Sequence, residues 1–418
     1  MIAKARAAIL RRSWLTSALS CAALFLLAHD WLTLALLFLS LLLQWNLWSR
    51  GWFRTGIAAQ VGALAALKIV FMLYGLPAGR FPLGFSFYSL SIISLLADAI
   101  RKGPRPMAFS EFFAFLSYAP KFFAGPIERA EPFLKDLRSP RPVRGRIIRA
   151  CLFLFAWGAF KKFCVADPIW SLVQANLLRN ESRDWFLFFI GMSALAIHFY
   201  AEFSGYVDMA RGISRLFGIR LALNFNHPFR ATNPQNFWQR WHLSLSFWLR
   251  DYVLYPLFFK TKNLPLAITA VFVVMGLWHG LDWNYLVVAA YWSVMVVGYL
   301  QIKPYLFRAR GLFRIPFHAA TLLSRALMFL IAGFSFFLLY APNWTEILGR
   351  VHWLGEIGTP FHEQSALRIL FYLVPFVVMA ARRIPFVARA LILAYLAVLI
   401  LFFREESARQ VTFMYFQF

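Results

Sequence analysis

Carboxylates are scarce in this chain. Its 418 residues carry 18 Asp and Glu against 43 Lys and Arg, a formal charge of +25. A chain this basic could bind nucleic acid, but it has no recognition motif for DNA or RNA, so nucleic acid is not an expected partner. Cysteine is scarcer still. Cys21, Cys151 and Cys164 stand far apart in apolar surroundings. That spacing excludes a cysteine metal-ligand set and a redox pair, so no metal is expected, and all three thiols are expected in the core. No cleavable leader is expected either. Lys4, Arg6, Arg11 and Arg12 run into oily sequence, but Asp30 and a second apolar run follow without a cleavage signature.

What is abundant is apolar. Hydrophobic residues make up 61% of the chain and the mean hydropathy is +0.62, whereas soluble domains sit nearer to half apolar. The apolar runs recur from one end to the other, so the expected fold class is an all-α polytopic membrane protein of ten to twelve transmembrane helices. Spans are expected near 15–28, 31–45, 56–74, 82–96, 150–165, 185–203, 264–276, 285–300, 322–340, 367–380 and 387–403. The excess of Lys and Arg reads as cytoplasmic loops, helped by attraction to anionic lipid in the bilayer. The four cations before the first span place the N-terminus in the cytoplasm. The 138–149 loop and the 301–320 link are basic and read as cytoplasmic. The 343–364 link, with Glu346, Glu356 and Glu363, suits the outer side, and His352 and His362 read as loop residues there.

Two places break this pattern. Residues 110–135 are interrupted by Pro120, Gly125 and Pro126 and predict a re-entrant or broken helix with Glu128 and Arg129 at its mouth. Lys161 and Lys162 fall in the last turns of the 150–165 span and are expected to snorkel to water. Asp98 reads as an interfacial charge facing Arg101 and Lys102.

The chain is organised around residues 197–257, where His198, Glu202, Asp208, His242, Arg250 and Asp251 sit in otherwise oily sequence. An unpaired charge in hydrocarbon costs several kcal/mol, so these groups must be paired, wetted or interfacial. A helix over 195–215 stacks His198 over Glu202 and sets Asp208 against Arg211. Asn224, Asn226 and Pro228 mark a loop, and Thr232 or Asn233 caps the next turn with Pro234 in first position. A second helix then places Trp238, His242, Leu245, Leu249 and Tyr252 on one face, with Arg240, Arg250 and Asp251 off it. On that face His242 is either a satisfied core histidine or a functional group. His279 stands between Trp278 and Gly280 at the end of the 264–276 run. It is either a general base, its reference pKa lying near neutrality, or part of an interfacial aromatic cluster. Residues 413–418 read FMYFQF. Such a tail docks in a groove or on lipid. It is either an anchor or a carrier of Tyr415, a weak nucleophile until a base takes its proton.

Several ordered motifs make the chain resemble the bacterial branch of the membrane-bound O-acyltransferase family, which includes alginate O-acetylation and teichoic acid D-alanyl transfer proteins. They are PLGFSF (82–87), AGPI with Arg129 (124–127), EFSGYVDMA (202–210), NFNHP (224–228), FWQRWHLSLS with WLRDY (237–252) and GLWHG (276–280). The resemblance implies a ring of helices, with short re-entrant helices, around a central tunnel. It implies N-terminal helices over 1–80, a catalytic core over 81–340, C-terminal helices over 341–403 and a tail over 404–418. It makes His279 the invariant histidine and His242 the second. Glu202, Ser204, Asp208, Asn224, Trp238, Arg240, Trp241, Arg250, Asp251 and Trp278 then line the tunnel or meet substrate. Glu202 departs from the usual Asp, and His198 departs from the pattern with its role open.

The tail resembles the end of the small tyrosine-bearing partner of D-alanyl transfer systems, which makes Tyr415 an acyl acceptor. The implied donor is the phosphopantetheine thioester of an acidic acyl carrier protein at the cytoplasmic face, with no permanently bound cofactor. Donors such as a backbone amide or a protonated His242 would meet the oxyanion. An extracytoplasmic acyltransferase takes the product onward. The implied setting is a bacterial cytoplasmic (inner) membrane. The preferred acyl group is D-alanyl. O-acetyl transfer to alginate, peptidoglycan or another exopolysaccharide is the alternative. Intramembrane charges also fit a transporter or flippase, and a purely structural membrane partner is a third class.

Overall fold

The computed structural model describes residues 2–28, 31–75, 81–82, 84–122, 124–174, 185–312 and 316–340. The spans expected at 367–380 and 387–403, together with His352, His362 and Tyr415, lie outside the described residues. Every regular element among the described residues is helical.

The chain is a multi-pass membrane protein. Phe53–Leu73, Trp283–Leu306 and His318–Tyr340 are long and apolar enough to cross a bilayer, and Leu34–Ser49 and Leu264–His279 are shorter apolar helices. The first three elements are α1 (Ile2–Ala28), α2 (Trp31–Ser49) and α3 (Phe53–Leu73). Helix α3 turns Val61, Ile69, Val70, Met72 and Leu73 outward and buries only Gly56, Gln60 and Lys68. That inversion is what a lipid solvent asks for, with small and polar residues forming the contact between helices. Gln60 accordingly donates to Ser89 Oγ at 2.8 Å and accepts from Gln44 at 3.1 Å, tying α2 and α3 to α4 (Phe85–Lys102).

The broken stretch becomes α5 (Phe109–Ser117), α6 (Ala119–Phe122) and α7 (Ala130–Arg138), interrupted around Tyr118 and again across 124–129. Helix α8 (Gly145–Phe160) runs through a π-helical turn, Lys161–Ala166, into α9 (Asp167–Val173). Against it lies α10 (Trp185–Leu216), 32 residues without a break, which joins the expected 185–203 span to the 195–215 helix. At 1.5 Å per residue it is about 48 Å long, more than a hydrocarbon core requires.

Glycines let α8 and α10 touch backbone to backbone. A Cβ on Gly158 would lie 2.4 Å from the Gly205 carbonyl oxygen, and one on Gly212 would lie 2.9 Å from that of Cys151. Close approach of this kind is a general device of membrane helices. Gly158→Leu is therefore expected to destabilise the protein by about 1–3 kcal/mol through overpacking, read as earlier thermal loss of monodisperse protein in detergent.

The two lysines beyond this contact do not snorkel. Lys161 and Lys162 are buried, and the widened turn that carries them faces α10. Lys161 bonds Asp208 at 2.6 Å and Ser204 at 3.0 Å, while Lys162 lies 3.2 Å from Glu202 and 2.7 Å from Asp167. Acidic partners on α10 make burial cheaper than a reach to water. The cysteine expectation also needs correction, because Cys151 is buried and Cys164 half-buried but Cys21 is exposed. Cys21 belongs to α1, whose outer side carries the exposed Trp14, Leu15 and Leu19.

Beyond α10 come α11 (Pro234–Trp238), α12 (Leu243–Leu249), a π-helical turn Arg250–Leu254, α13 (Tyr255–Thr261), α14 (Leu264–His279), α15 (Trp283–Leu312) and α16 (Phe317–Tyr340). Helix α15 continues through most of the basic 301–320 link, carrying Pro304 inside it. The main core gathers residues of α10, α12, α14, α15 and α16, while a second core joins α2, α4, α5 and α7.

Candidate active site

The site begins at a helix that does not form. The apolar period over 238–252 predicts one continuous helix with His242 on its inner face. Instead α11 stops at Trp238, and residues 239–242 pair with the 224–226 loop. Asn226 N–H donates to Arg240 O at 2.9 Å, and Leu243 N–H donates to Asn224 O at 2.8 Å. Those partners take main-chain groups a helix would have used. His242 is left at φ 44°, ψ 53°, immediately before α12. A left-handed non-glycine residue is uncommon and is held only by surrounding structure. Upstream, Asn233 caps α11 by accepting from Asn236 N–H at 2.8 Å, with Pro234 in first position.

His242 is buried, and its Nδ1 lies 3.2 Å from Asn224 Oδ1. Phe203 meets the imidazole edge-on at 4.7 Å between centroids, and Phe87 lies parallel to it at 6.4 Å. His279 ends α14, and its ring is 4.7 Å from that of Trp278 and stacked on Tyr285 at 6.2 Å. Glycine permits this stack, since a Cβ on Gly280 would lie 2.0 Å from the Tyr285 ring. From α3, the buried Lys68 donates to the His279 carbonyl oxygen at 2.9 Å. A cation suits a helix C-terminus, where carbonyls lack intrahelical partners.

Both histidines line one narrow cavity of about 60 Å³, walled by Trp238, Trp241, Met275, Tyr285, Trp292 and Phe336 among others. Trp238 Nε1 has no hydrogen-bond partner among the described residues. Such a wall excludes water and leaves a few polar atoms to orient a ligand.

The other expected site residues divide into groups. Glu202, Ser204 and Asp208 stand on α10 in the buried ion network, where His198 also bonds Glu202 at 3.0 Å and Arg211 meets Asp208 at 3.3 Å. They do not line the cavity. They flank it through Phe203, which carries the contact to His242. His198, left open by the sequence, donates from Nδ1 to Ala166 O over 2.8 Å and so ties α10 to the end of the π-helical turn. Arg240 is held by Asn236 and the Asn226 carbonyl, at 3.0 and 3.1 Å. Trp278 donates to Ser86 O at 3.3 Å. Arg250 and Asp251 lie at the far end of α12. There Asp251 receives Arg129 at 3.0 Å and Arg250 at 2.8 Å, and its carbonyl accepts from Arg101.

That far end opens a wider polar recess lined by Asp98, Arg101, Lys102, Arg129, Glu131 and Lys135 around Tyr252. Asp98 accepts from Tyr252 OH at 2.9 Å and also lies 4.0 Å from Lys102. At its rim the hydrogen-bonded Arg105 holds the Glu131 carboxyl below its ordinary range. Among the described residues no group of three His, Cys, Asp or Glu is placed to hold a metal.

Sequence reasoning missed Lys68 and Tyr285. The signal for Lys68 was present, since a lone lysine inside an apolar span marks function by default. Nothing in the pattern pointed to Tyr285, whose role depends on the fold that stacks it on His279.

A helical membrane protein with two histidines in one apolar cavity is the class defined so far. Comparison with known proteins makes it specific. The chain belongs to the membrane-bound O-acyltransferase family, whose model matches residues 14–342. It is 32% identical over 241 residues to a peptidoglycan O-acetyltransferase of Helicobacter pylori, covering 49% of this chain and 45% of that protein. It is 32% identical over 218 residues to a probable alginate O-acetylase of Pseudomonas aeruginosa, covering 50% and 41%. With a teichoic acid D-alanyltransferase of Bacillus subtilis it shares 30% over 234 residues, covering 52% and 58%. The matched part thus spans about half the length of these curated relatives.

Proposed function

We propose that this protein is a membrane O-acyltransferase that moves an acyl group from a thioester to a hydroxyl acceptor. The observation that carries the reading is the meeting of His242 and His279 on one apolar cavity. An imidazole is suited to take a hydroxyl proton near neutral pH. His279 takes the proton of the acceptor, whose oxygen attacks the thioester carbonyl carbon. The C–S bond breaks, and the departing thiolate takes the proton back. Donors around the cavity, the Trp238 indole N–H among them, meet the oxygen as it becomes charged.

The preferred donor is D-alanyl on the phosphopantetheine of an acidic carrier protein, and the preferred acceptor is Tyr415. In the recess beyond α12, Arg101, Lys102, Arg129 and Lys135 stand beside Asp98, Glu131 and Asp251, a small excess of positive charge that suits an acidic carrier. A separate extracytoplasmic acyltransferase then carries the group to a cell-surface polymer. The setting is a bacterial inner membrane with the N-terminus inside. O-acetyl transfer is the second reading, and the similarity to peptidoglycan and alginate O-acetylating proteins favours it.

Intact-mass analysis of the protein and its C-terminal peptide, after charged carrier is supplied, tests the scheme. The expected result is an added mass on Tyr415 that mild base releases, with the mass naming the acyl group. Full labelling of Tyr415→Phe protein contradicts the tyrosine relay. Absence of any acyl transfer with carrier-bound or coenzyme-bound thioesters contradicts the reading as a whole.

A further inference from the structure

We infer that Asn224 is a positioning residue that fixes His242 in a single tautomer, with the proton on Nδ1 and the lone pair on Nε2. The backbone N–H of Ser244 lies 3.1 Å from Asn224 Oδ1, and a backbone N–H can only donate. The atom it meets must accept, so the amide oxygen, not the NH2 group, occupies that place. His242 Nδ1 lies 3.2 Å from the same oxygen. An amide oxygen has no hydrogen to give, so Nδ1 is the donor. In a neutral imidazole the other nitrogen then holds the lone pair.

The oxygen cannot easily turn away. Ser244 Oγ also donates to it at 2.8 Å, and that hydroxyl is oriented in turn by accepting Ile127 N–H at 2.9 Å. The main-chain oxygen of Asn224 accepts Leu243 N–H at 2.8 Å. Asn224 is fully buried, so no water competes for its carbonyl. The His242 ring and the backbone that follows it are thus pinned to one asparagine, and His242 itself has a left-handed backbone.

The consequence rests on the acyltransferase reading. In the resting protein Nε2 carries the lone pair, so toward a bound molecule it can accept a hydrogen bond and cannot donate one. His242 therefore orients a substrate O–H or N–H, such as an amide of the donor arm, while the developing oxyanion takes its hydrogen bonds elsewhere. This replaces the expectation of a protonated His242 as oxyanion donor.

Histidine NMR on isotope-labelled full-length protein in nanodiscs tests the assignment, with the His242 signals identified by their loss in His242→Gln. The expected result is protonated Nδ1 and unprotonated Nε2 at neutral pH. Asn224→Ala is expected to give a tautomer mixture and to lower kcat roughly ten- to a hundredfold, with a much smaller change in KM, as loss of a histidine's outer partner does at other sites. Asn224→Asp keeps an acceptor and is expected to recover most of the lost rate. A wild-type spectrum with the proton on Nε2 overturns the inference, and so does an Asn224→Ala protein with unchanged tautomer and kcat. If Asn224→Ala fails to fold, the wild-type spectrum alone decides. A wild-type protein inactive in transfer but showing the Nδ1–H tautomer overturns the catalytic reading and leaves the tautomer assignment in place.

Discussion

Replacing His279 by alanine is expected to slow acyl transfer by about a hundred- to ten-thousandfold, the range a positioned general base supplies. The side chain touches Trp278 and Tyr285 through ring faces, while the bond from Lys68 goes to the main-chain carbonyl, which alanine retains. The variant should therefore fold, and its thermal transition in detergent should stay close to that of the parent. Transfer measured with a fixed thioester donor gives the rate. His242→Ala should also lose rate, and the double variant should lose less than the product of the two single losses, because groups acting on one reaction are not additive. A His279→Ala protein that transfers at the parental rate removes His279 from the chemistry.

The second large effect is on stability. Glu202 is nearly inaccessible and holds both Lys162, at 3.2 Å, and His198, at 3.0 Å. Glu202→Ala leaves buried polar partners with one acceptor fewer. Breaking a buried pair from one side costs about 3–5 kcal/mol, so loss of folded protein should begin at a clearly lower temperature. Glu202→Gln keeps a carbonyl oxygen at nearly the same place and should lose less. Lys162 retains Asp167 at 2.7 Å in both variants, which sets a floor under the damage. Equal melting of parent and alanine variant would show that this network contributes nothing to stability.

Much of this architecture was legible because the bilayer restricts what a sequence can do. Among the described residues, apolar runs of sufficient length became helices, and the stretch holding Pro120 and Pro126 became short pieces as its breakers required. His198 over Glu202 and Asp208 against Arg211 followed from helical spacing alone. Local pattern failed where distant chain intervened. The period through His242 is a true helical period, yet hydrogen bonds from the 224–226 loop outcompete it. Lys161 and Lys162 read as snorkelling because two of their acidic partners, Asp208 and Glu202, lie forty or more residues away in sequence on α10. The motif residues split for a similar reason. Trp238 and Trp241 reach the cavity wall, whereas Glu202, Ser204 and Asp208 hold up the helix behind it. Lys68 and Tyr285 come to His279 from outside the motifs altogether.

The most direct measurement is single-turnover transfer in sealed proteoliposomes, with acyl thioester supplied on one side of the membrane and acylation of the hydroxyl acceptor, the chain's own Tyr415, read by mass. The expected result is acylated acceptor in parental vesicles, and a strong loss of it in His279→Ala vesicles of equal protein content. No acylated acceptor in parental vesicles, or equal product with and without the imidazole, would contradict the account.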